Sequence, residues 1–285
     1  MRKYSPIALF AYNRLYHLKK TVHSLLMNPE SAYSDLFIFS DFPKSNKEES
    51  NVRSVRIFLK EIKGFKSVNI IEREFNFGLA NSIIDGVTEV LEHFDKIIVV
   101  EDDLLLSPYF LSYMNQCLEL YEDSADVASA IGYSYPLDHP LPHTFFLRGA
   151  ACWGWSTWKN KWQSFECDAE ALLGKFTQAT KEEFNHFNHF DYFKMLELQA
   201  MKKIDSWGIR WHASAFLKGL YSLYPRRSFV HNMGMDGTGV HCTKTNVFDT
   251  KIEHEFPTVK KIPVEQDREI AIAVGKLLTS ALYES

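Results

Sequence analysis

The chain is poor in cysteine. Its 285 residues include only Cys117, Cys152, Cys167 and Cys242, and no two form a CxxC pair. That excludes a disulfide framework and a cysteine-based zinc site, and thiols of this kind fit a reducing, cytoplasmic setting. Histidines such as His186 and His189 have no HExxH partner. No apolar run approaches the ~20 residues of a membrane span, so only peripheral contact with a membrane face stays open. The strand-like N-terminal segment of about seven residues is too short for a signal-peptide core, and no small-residue cleavage site follows it. There is no block of like charge longer than a few residues and the net charge is −4, which argues against a nucleic-acid surface. Neither a Walker motif nor GxGxxG occurs, nor any repeat or low-complexity segment.

What is present can fold. Hydrophobic residues make up 46% of the chain, enough for a substantial core. Apolar runs at Ile7–Tyr12, Leu36–Phe39, Val68–Ile71 and Ile97–Val100 read as buried strands. Between them lie helical patterns: Leu15, Leu18, Val22, Leu25 and Leu26; then a polar amphipathic stretch over 46–63; then Leu79, Ile83, Val87, Val90 and Leu91. This alternation predicts an α/β fold with a mostly parallel, Rossmann-like sheet flanked by helices. Beyond residue 107 the pattern loosens. Helices are expected over 109–121, most of 168–203, 208–219 and 265–282, with strands over 127–131, 144–147, 221–224 and 228–231. Aromatic residues crowd into 144–231, so this back half is helical and aromatic-rich.

The densest chemical signal is Ile97-Ile98-Val99-Val100-Glu101-Asp102-Asp103, followed by Ser107-Pro108 as a helix start. A buried strand delivers three carboxylates to its C-terminal end, the edge at which open α/β sheets bind ligands. Such acids repel one another, and a divalent cation with a phosphorylated ligand would account for them. A solvated acidic strand end with capping duty would give the same pattern. In the first reading Asp103 holds Mg2+ or Mn2+, Asp102 meets a ribose hydroxyl or a metal-bound water, and Glu101 orients the transferred group. Asn13 and Arg14 end the first strand, Asp41 the second, and Asn76 follows the third. In a parallel sheet these ends converge. Ser40-Asp41-Phe42-Pro43 and Asn76-Phe77-Gly78 are also ordinary turn sequences.

Three further segments have two readings each. Arg148–Ser156 combines Gly and Ala with Trp153 and Trp155, whose faces suit a sugar ring. The spacing of Trp155, Trp158 and Trp162 equally suits a helix face in the core, to which Trp158 and Trp162 are assigned. Asp205, before Ser206-Trp207, is either a helix cap or a general base for an attacking hydroxyl. The loop 232–246, with three glycines in the six residues from Gly234, is either a solvent loop or a lid in which His241 meets a diphosphate or metal.

Together these parts resemble the GT-A glycosyltransferases, most closely the N-acetylglucosaminyltransferase I-like group and its bacterial relatives. The resemblance covers roughly residues 5–245. It rests on Ala8–Arg14, Ser40-Asp41, Val99–Asp103 with Ser107–Phe110, Gly154-Trp155, Asp205-Ser206-Trp207 and the lid region 228–241. It implies one GT-A domain over 1–285: a nucleotide-sugar-binding half (1–106), an acceptor half (107–260) and a C-terminal helix (261–285). It also implies Asp103 as metal ligand, Asp41 as uracil contact and Asp205 as catalytic base. The family has two acids before the tryptophan, and Ser206 replaces the second here, so the base assignment depends on which acid serves.

The implied activity is metal-dependent, inverting transfer of a hexosyl or N-acetylhexosaminyl group from a UDP-sugar to a glycan hydroxyl. The acceptor would be a growing bacterial surface polysaccharide, lipid-linked or not. One rival is a sugar nucleotidyltransferase, which needs a glycine-rich basic loop after the first strand. Ala11–Leu15 has no glycine. The other rival is a glycan-binding or scaffold protein that has lost catalysis, which Ser206 favours and the three acids oppose.

Overall fold

The computed structural model describes residues 4–237 and 245–283. Strand β1 (Ile7–Ala11) is wholly buried, and the chain then turns into α1 (Leu15–Leu26). The unit recurs as β2 (Asp35–Ser40) with α2 (Glu49–Leu59), β3 (Ser67–Glu72) with α3 (Gly78–His93), and β4 (Lys96–Glu101). These four strands pair in parallel in the order β3-β2-β1-β4. Helix α3 seats closely on the sheet because residue 86 is glycine. A Cβ there would fall 2.8 Å from Phe10 and 2.9 Å from Phe39, whose rings stack at 5.1 Å.

The chain continues with β5 (Leu104–Leu106), α4 (Phe110–Leu120), β6 (Val127–Ile131), β7 (Thr144–Arg148) and β8 (Trp155–Trp158). Helices α5 (Lys159–Trp162), α6 (Ala169–Leu173), α7 (Gln178–Phe184), α8 (Tyr192–Ala200) and α9 (Trp207–Leu217) come next. Then come β9 (Tyr221–Pro225), β10 (Val230–Asn232) and α10 (Arg268–Tyr283). The eight-stranded sheet runs β3-β2-β1-β4-β8-β6-β9-β7, with only β8 and β7 against the common direction. The α/β architecture with a mostly parallel sheet and flanking helices is therefore as the sequence pattern predicts. No helix among the described residues is long and apolar enough to cross a membrane.

Several local expectations are corrected. Between the acids and α4 the chain forms β5, not anticipated from the sequence, which pairs antiparallel with β10 in a small second sheet. Trp155 and Trp158 lie on a strand, not a helix face, because β8 fills the gap between β4 and β6. The stretch 168–203 is three short helices. Between α7 and α8, His186, Phe187 and Asn188 all take left-handed backbone (φ 47, 56 and 66), a conformation that costs about 1–3 kcal/mol per residue. Asn185 stabilises this turn, with Nδ2 donating to Asp191 Oδ1 at 2.9 Å and Oδ1 accepting from Phe193 N at 2.8 Å. Helix α10 covers it through Gly275, where a Cβ would lie 2.8 Å from the Cβ atoms of His186 and His189.

Candidate active site

The strand order places a topological switch point between β1 and β4, the crevice where open α/β sheets bind ligands. The turn after β1 there faces the acids after β4. Arg14 precedes α1 and turns its guanidinium onto them: Nη2 donates to Asp102 Oδ1 at 2.6 Å and to Asp103 Oδ2 at 2.9 Å. Tyr12 N donates to Asp102 Oδ2 at 3.2 Å, so both oxygens of Asp102 are engaged. Thr21, further along α1, donates to the Asp102 carbonyl at 2.8 Å. Asn13 lies half-buried in the same turn.

The electrostatics are lopsided. Among the described residues, Glu101, Asp102 and Asp103 face one cation, Arg14. Burial pushes the Glu101 carboxyl well up, and Asp103 and Asp102 add to the shift. Burial also raises Asp102, against the opposing pull of Arg14. Burial opposes the Arg14 charge too, but the two aspartates outweigh it and hold the guanidinium charged. Its other terminal nitrogen, Nη1, is buried and has no hydrogen-bond partner among the described residues. A buried guanidinium N–H without an acceptor is costly, and an anionic oxygen would satisfy it.

The segment after β10 covers the acids. Met233 N donates to the Asp103 carbonyl at 2.8 Å, and Asn232 Oδ1 accepts from Gly234 N at 2.7 Å. Gly234 lies against the Asp103 carboxylate, where no larger residue fits: a Cβ would come 2.2 Å from Oδ2. His17 on α1 ties the same turn down through Nε2 to Asp236 Oδ2 at 3.1 Å. His17 and Thr21 escaped the sequence reading. The signal was their spacing from Arg14: polar residues at 14, 17 and 21 recur at the three- and four-residue spacing of one helix face.

Asp41 is buried beside this crevice at the end of β2. Its Oδ1 accepts from Phe42 N and Phe77 N, both at 2.8 Å. Its Oδ2 accepts from Gly78 N at 2.9 Å and Asn76 Nδ2 at 3.1 Å. A carboxylate offers about four acceptor positions, and these donors fill them. Asp41 and Asn76 therefore build the turn that starts α3.

Other candidates sit elsewhere. Trp155 is fully buried and stacks on Trp207 at 5.3 Å, with Trp162 at 5.7 Å and Trp211 at 6.3 Å. Enclosed in that cluster it has no free face for a sugar, which corrects the binding expectation. Trp158 and Trp162 are packing, as assigned. Asp205 is exposed and pairs with Arg210 at 3.3 Å. It does not cap α9: Ser206 does, accepting from Ile209 N at 3.3 Å. His241 lies outside the described residues.

A hard cation would find oxygen donors here, as Mg2+ and Mn2+ prefer. Among the described residues, however, no three His, Cys, Asp or Glu side chains form a ready ligand set. With Asp102 tied to Arg14 and Tyr12, the residues fit an ion taken by Asp103 and completed by a diphosphate and water. They do not fit an all-protein cage.

No protein-family model matches the sequence, and no curated protein matches it. S. aureus TarS matches with a TM-score of 0.44 and 11% identity, over 81% of this chain and 37% of that one. A UDP-glucose pyrophosphorylase complexed with UDP-glucose gives 0.41 at 12% identity, over 81% of this chain and 94% of that one. The mannosyltransferase PcManGT from Pyrobaculum calidifontis, in complex with GDP-Man and Mn2+, gives 0.32 at 12% identity. That match covers 46% of this chain and 36% of the other. The chain thus spans little more than a third of TarS or PcManGT, and likeness at this level says nothing of substrate.

Proposed function

We propose that the chain is a GT-A-type glycosyltransferase that moves a sugar from a nucleotide-sugar, a UDP-sugar in this reading, to a hydroxyl of a glycan acceptor. The observation that carries the reading is Arg14 at the switch point. Among the described residues one terminal guanidinium nitrogen bridges two buried aspartates, and the other is buried without an acceptor. A diphosphate oxygen supplies that acceptor. Asn76 and Asp41 shape the turn beside the nucleoside, and Glu101 and Asp102 orient the ribose and the transferred sugar.

Asp103 would hold Mg2+ or Mn2+, which when bound neutralises charge on the departing diphosphate. Asp205 takes the proton of the acceptor hydroxyl. The hydroxyl oxygen bonds to the anomeric carbon as that carbon's bond to the diphosphate breaks, so configuration inverts. The nucleoside diphosphate leaves with the bonding pair. The turn 233–236, tied to α1 by His17, encloses the site. Synthesis of a surface polysaccharide is the setting this chemistry suits.

A second reading has one observation in its favour. Ser206, in place of an acid, is occupied as a helix cap, which suits a glycan-binding protein of the same fold without turnover. Calorimetric titration with UDP, GDP, CMP and their sugars, with and without Mn2+, separates the two. The transferase reading expects metal-dependent binding of one nucleotide series, lost in Asp103→Asn. Folded protein that binds none of them would sink it.

A further inference from the structure

A cavity of about 250 Å3 opens beside the start of α9, and none of the three acids lines it. Six aromatic rings wall it: Tyr133, Tyr135, Trp153, Phe190, Tyr192 and Phe248. Among the described residues, no Asp, Glu, Asn, Gln, Lys or Arg lines it. Several polar groups on its walls already have partners. Tyr133 Oη donates to the Phe248 carbonyl at 3.0 Å. The Tyr135 hydroxyl shares hydrogen bonds with Tyr192 and Tyr224. Ser206 Oγ caps α9, and His212 Nδ1 lies 2.8 Å from the Ala150 carbonyl.

A sugar ring carries several hydroxyls, and each one buried here without a partner would oppose binding. An apolar group loses nothing in such a place. An apolar cavity of about 150 Å3 is enough for benzene, so this one has room for a ring with a substituent. The left-handed turn at 186–188 leads directly into Phe190 and Tyr192 on the wall, and strain of that kind persists where the surroundings over-determine it.

The cavity also stands within reach of the transfer site. Trp155 on β8 pairs with Val99 on β4 and with Ile131 on β6. Ile131, at the cavity, is therefore level with Val99, two residues before the end of β4, and two strands away, roughly 10 Å across the sheet. Ser206 lines the cavity, and exposed Asp205 directly precedes it.

We infer that this cavity binds an uncharged apolar aglycone, an aromatic or short hydrocarbon group, which anchors the acceptor so that its hydroxyl lies at the rim near Asp205. The word acceptor rests on the transferase reading; occupancy of the cavity by an apolar group does not. The test therefore omits donor and metal. p-Nitrophenyl, octyl and methyl β-D-glucoside, the octyl compound below its micelle concentration, are titrated into the full chain and followed by tryptophan fluorescence and calorimetry. The aryl or the octyl glucoside, or both, should bind at least tenfold more tightly than the methyl glucoside, and which does so tells aromatic from aliphatic preference. Gly208→Leu fills the cavity, since a Cβ at Gly208 has only ordinary contacts at 3.8 Å and beyond, and should weaken binding tenfold. Trp153→Ala removes one wall and should weaken it as well, which keeps the test open if the first variant does not fold. Equal binding of all three glucosides, or apolar binding untouched in both variants, would overturn the inference. Apolar binding without any nucleotide binding would retire the transferase reading and leave the cavity assignment standing.

Discussion

Gly234 lies so close to Asp103 that a methyl group on its α-carbon would fall 2.2 Å from Oδ2. The neighbour is a carboxylate fixed by Arg14, so it cannot simply swing away. Gly234→Ala should cost about 1–3 kcal/mol by overpacking and lift the 233–236 turn off the acids. Denaturant unfolding gives the first effect, and a weaker nucleotide-sugar titration gives the second. Gly174→Ala is the control. Gly174 has helical backbone, and a Cβ there lies 3.7 Å from its nearest neighbour. That change should be neutral or stabilising by up to about 1 kcal/mol.

Arg14→Ala strands two buried carboxylates. Removing one partner of such a pair costs about 3–5 kcal/mol, and urea unfolding should show a loss of that order. Arg14→Lys keeps the charge but not the planar fork that meets both carboxylates. It should recover part of the stability and little of the nucleotide affinity. Full affinity in Arg14→Ala would mean that Nη1 does not meet the ligand.

The contrast between Arg14 and the acids shows what the sequence could tell. Strands β1 to β4 were legible because their aliphatic runs end in polar turns, and alternation with helices implied the parallel order. The three acids were legible because they end such a run. Their closure was not: Arg14 and Asp102 are 88 positions apart, and only the pairing of β1 with β4 brings them together. Strand β5 has three residues and no periodicity to read. Trp155 misled because its spacing from Trp158 and Trp162 imitates a helix, whereas its partners come from α9. Its burial predicts that Trp155→Ala costs about 3–5 kcal/mol.

Two histidines set the acid limit of the fold. Burial lowers His186 from 6.5 to about 3 and His212 from 6.5 to about 4. In the window from pH 6.5 down to those values the unfolded chain binds the protons and the folded chain does not. The contribution of these two rings to stability is therefore full above pH 6.5 and is lost as pH falls. At pH 5 each ring should have removed up to about 2 kcal/mol. Unfolding free energies at pH 7 and pH 5 measure it. His186→Asn suits the left-handed backbone and should flatten the slope by one proton, even though packing is lost at both pH values.

Asp205 and Ser206 are adjacent, and the structure gives them different work. Ser206 holds the first turn of α9, so Ser206→Ala should cost about 1 kcal/mol of stability with little change in turnover. Asp205 is exposed and pairs with Arg210. At such a surface pair the electrostatic contribution to stability is about 0–1 kcal/mol. Asp205→Asn should therefore leave the unfolding midpoint almost unchanged. If Asp205 takes the acceptor proton, the same change should lower kcat about 10²–10⁴-fold while donor binding stays intact. Should turnover survive in Asp205→Asn, the proton goes elsewhere. Ser206 is no substitute, since its hydroxyl has no basicity near neutral pH, and the acids at the end of β4 would be next in line.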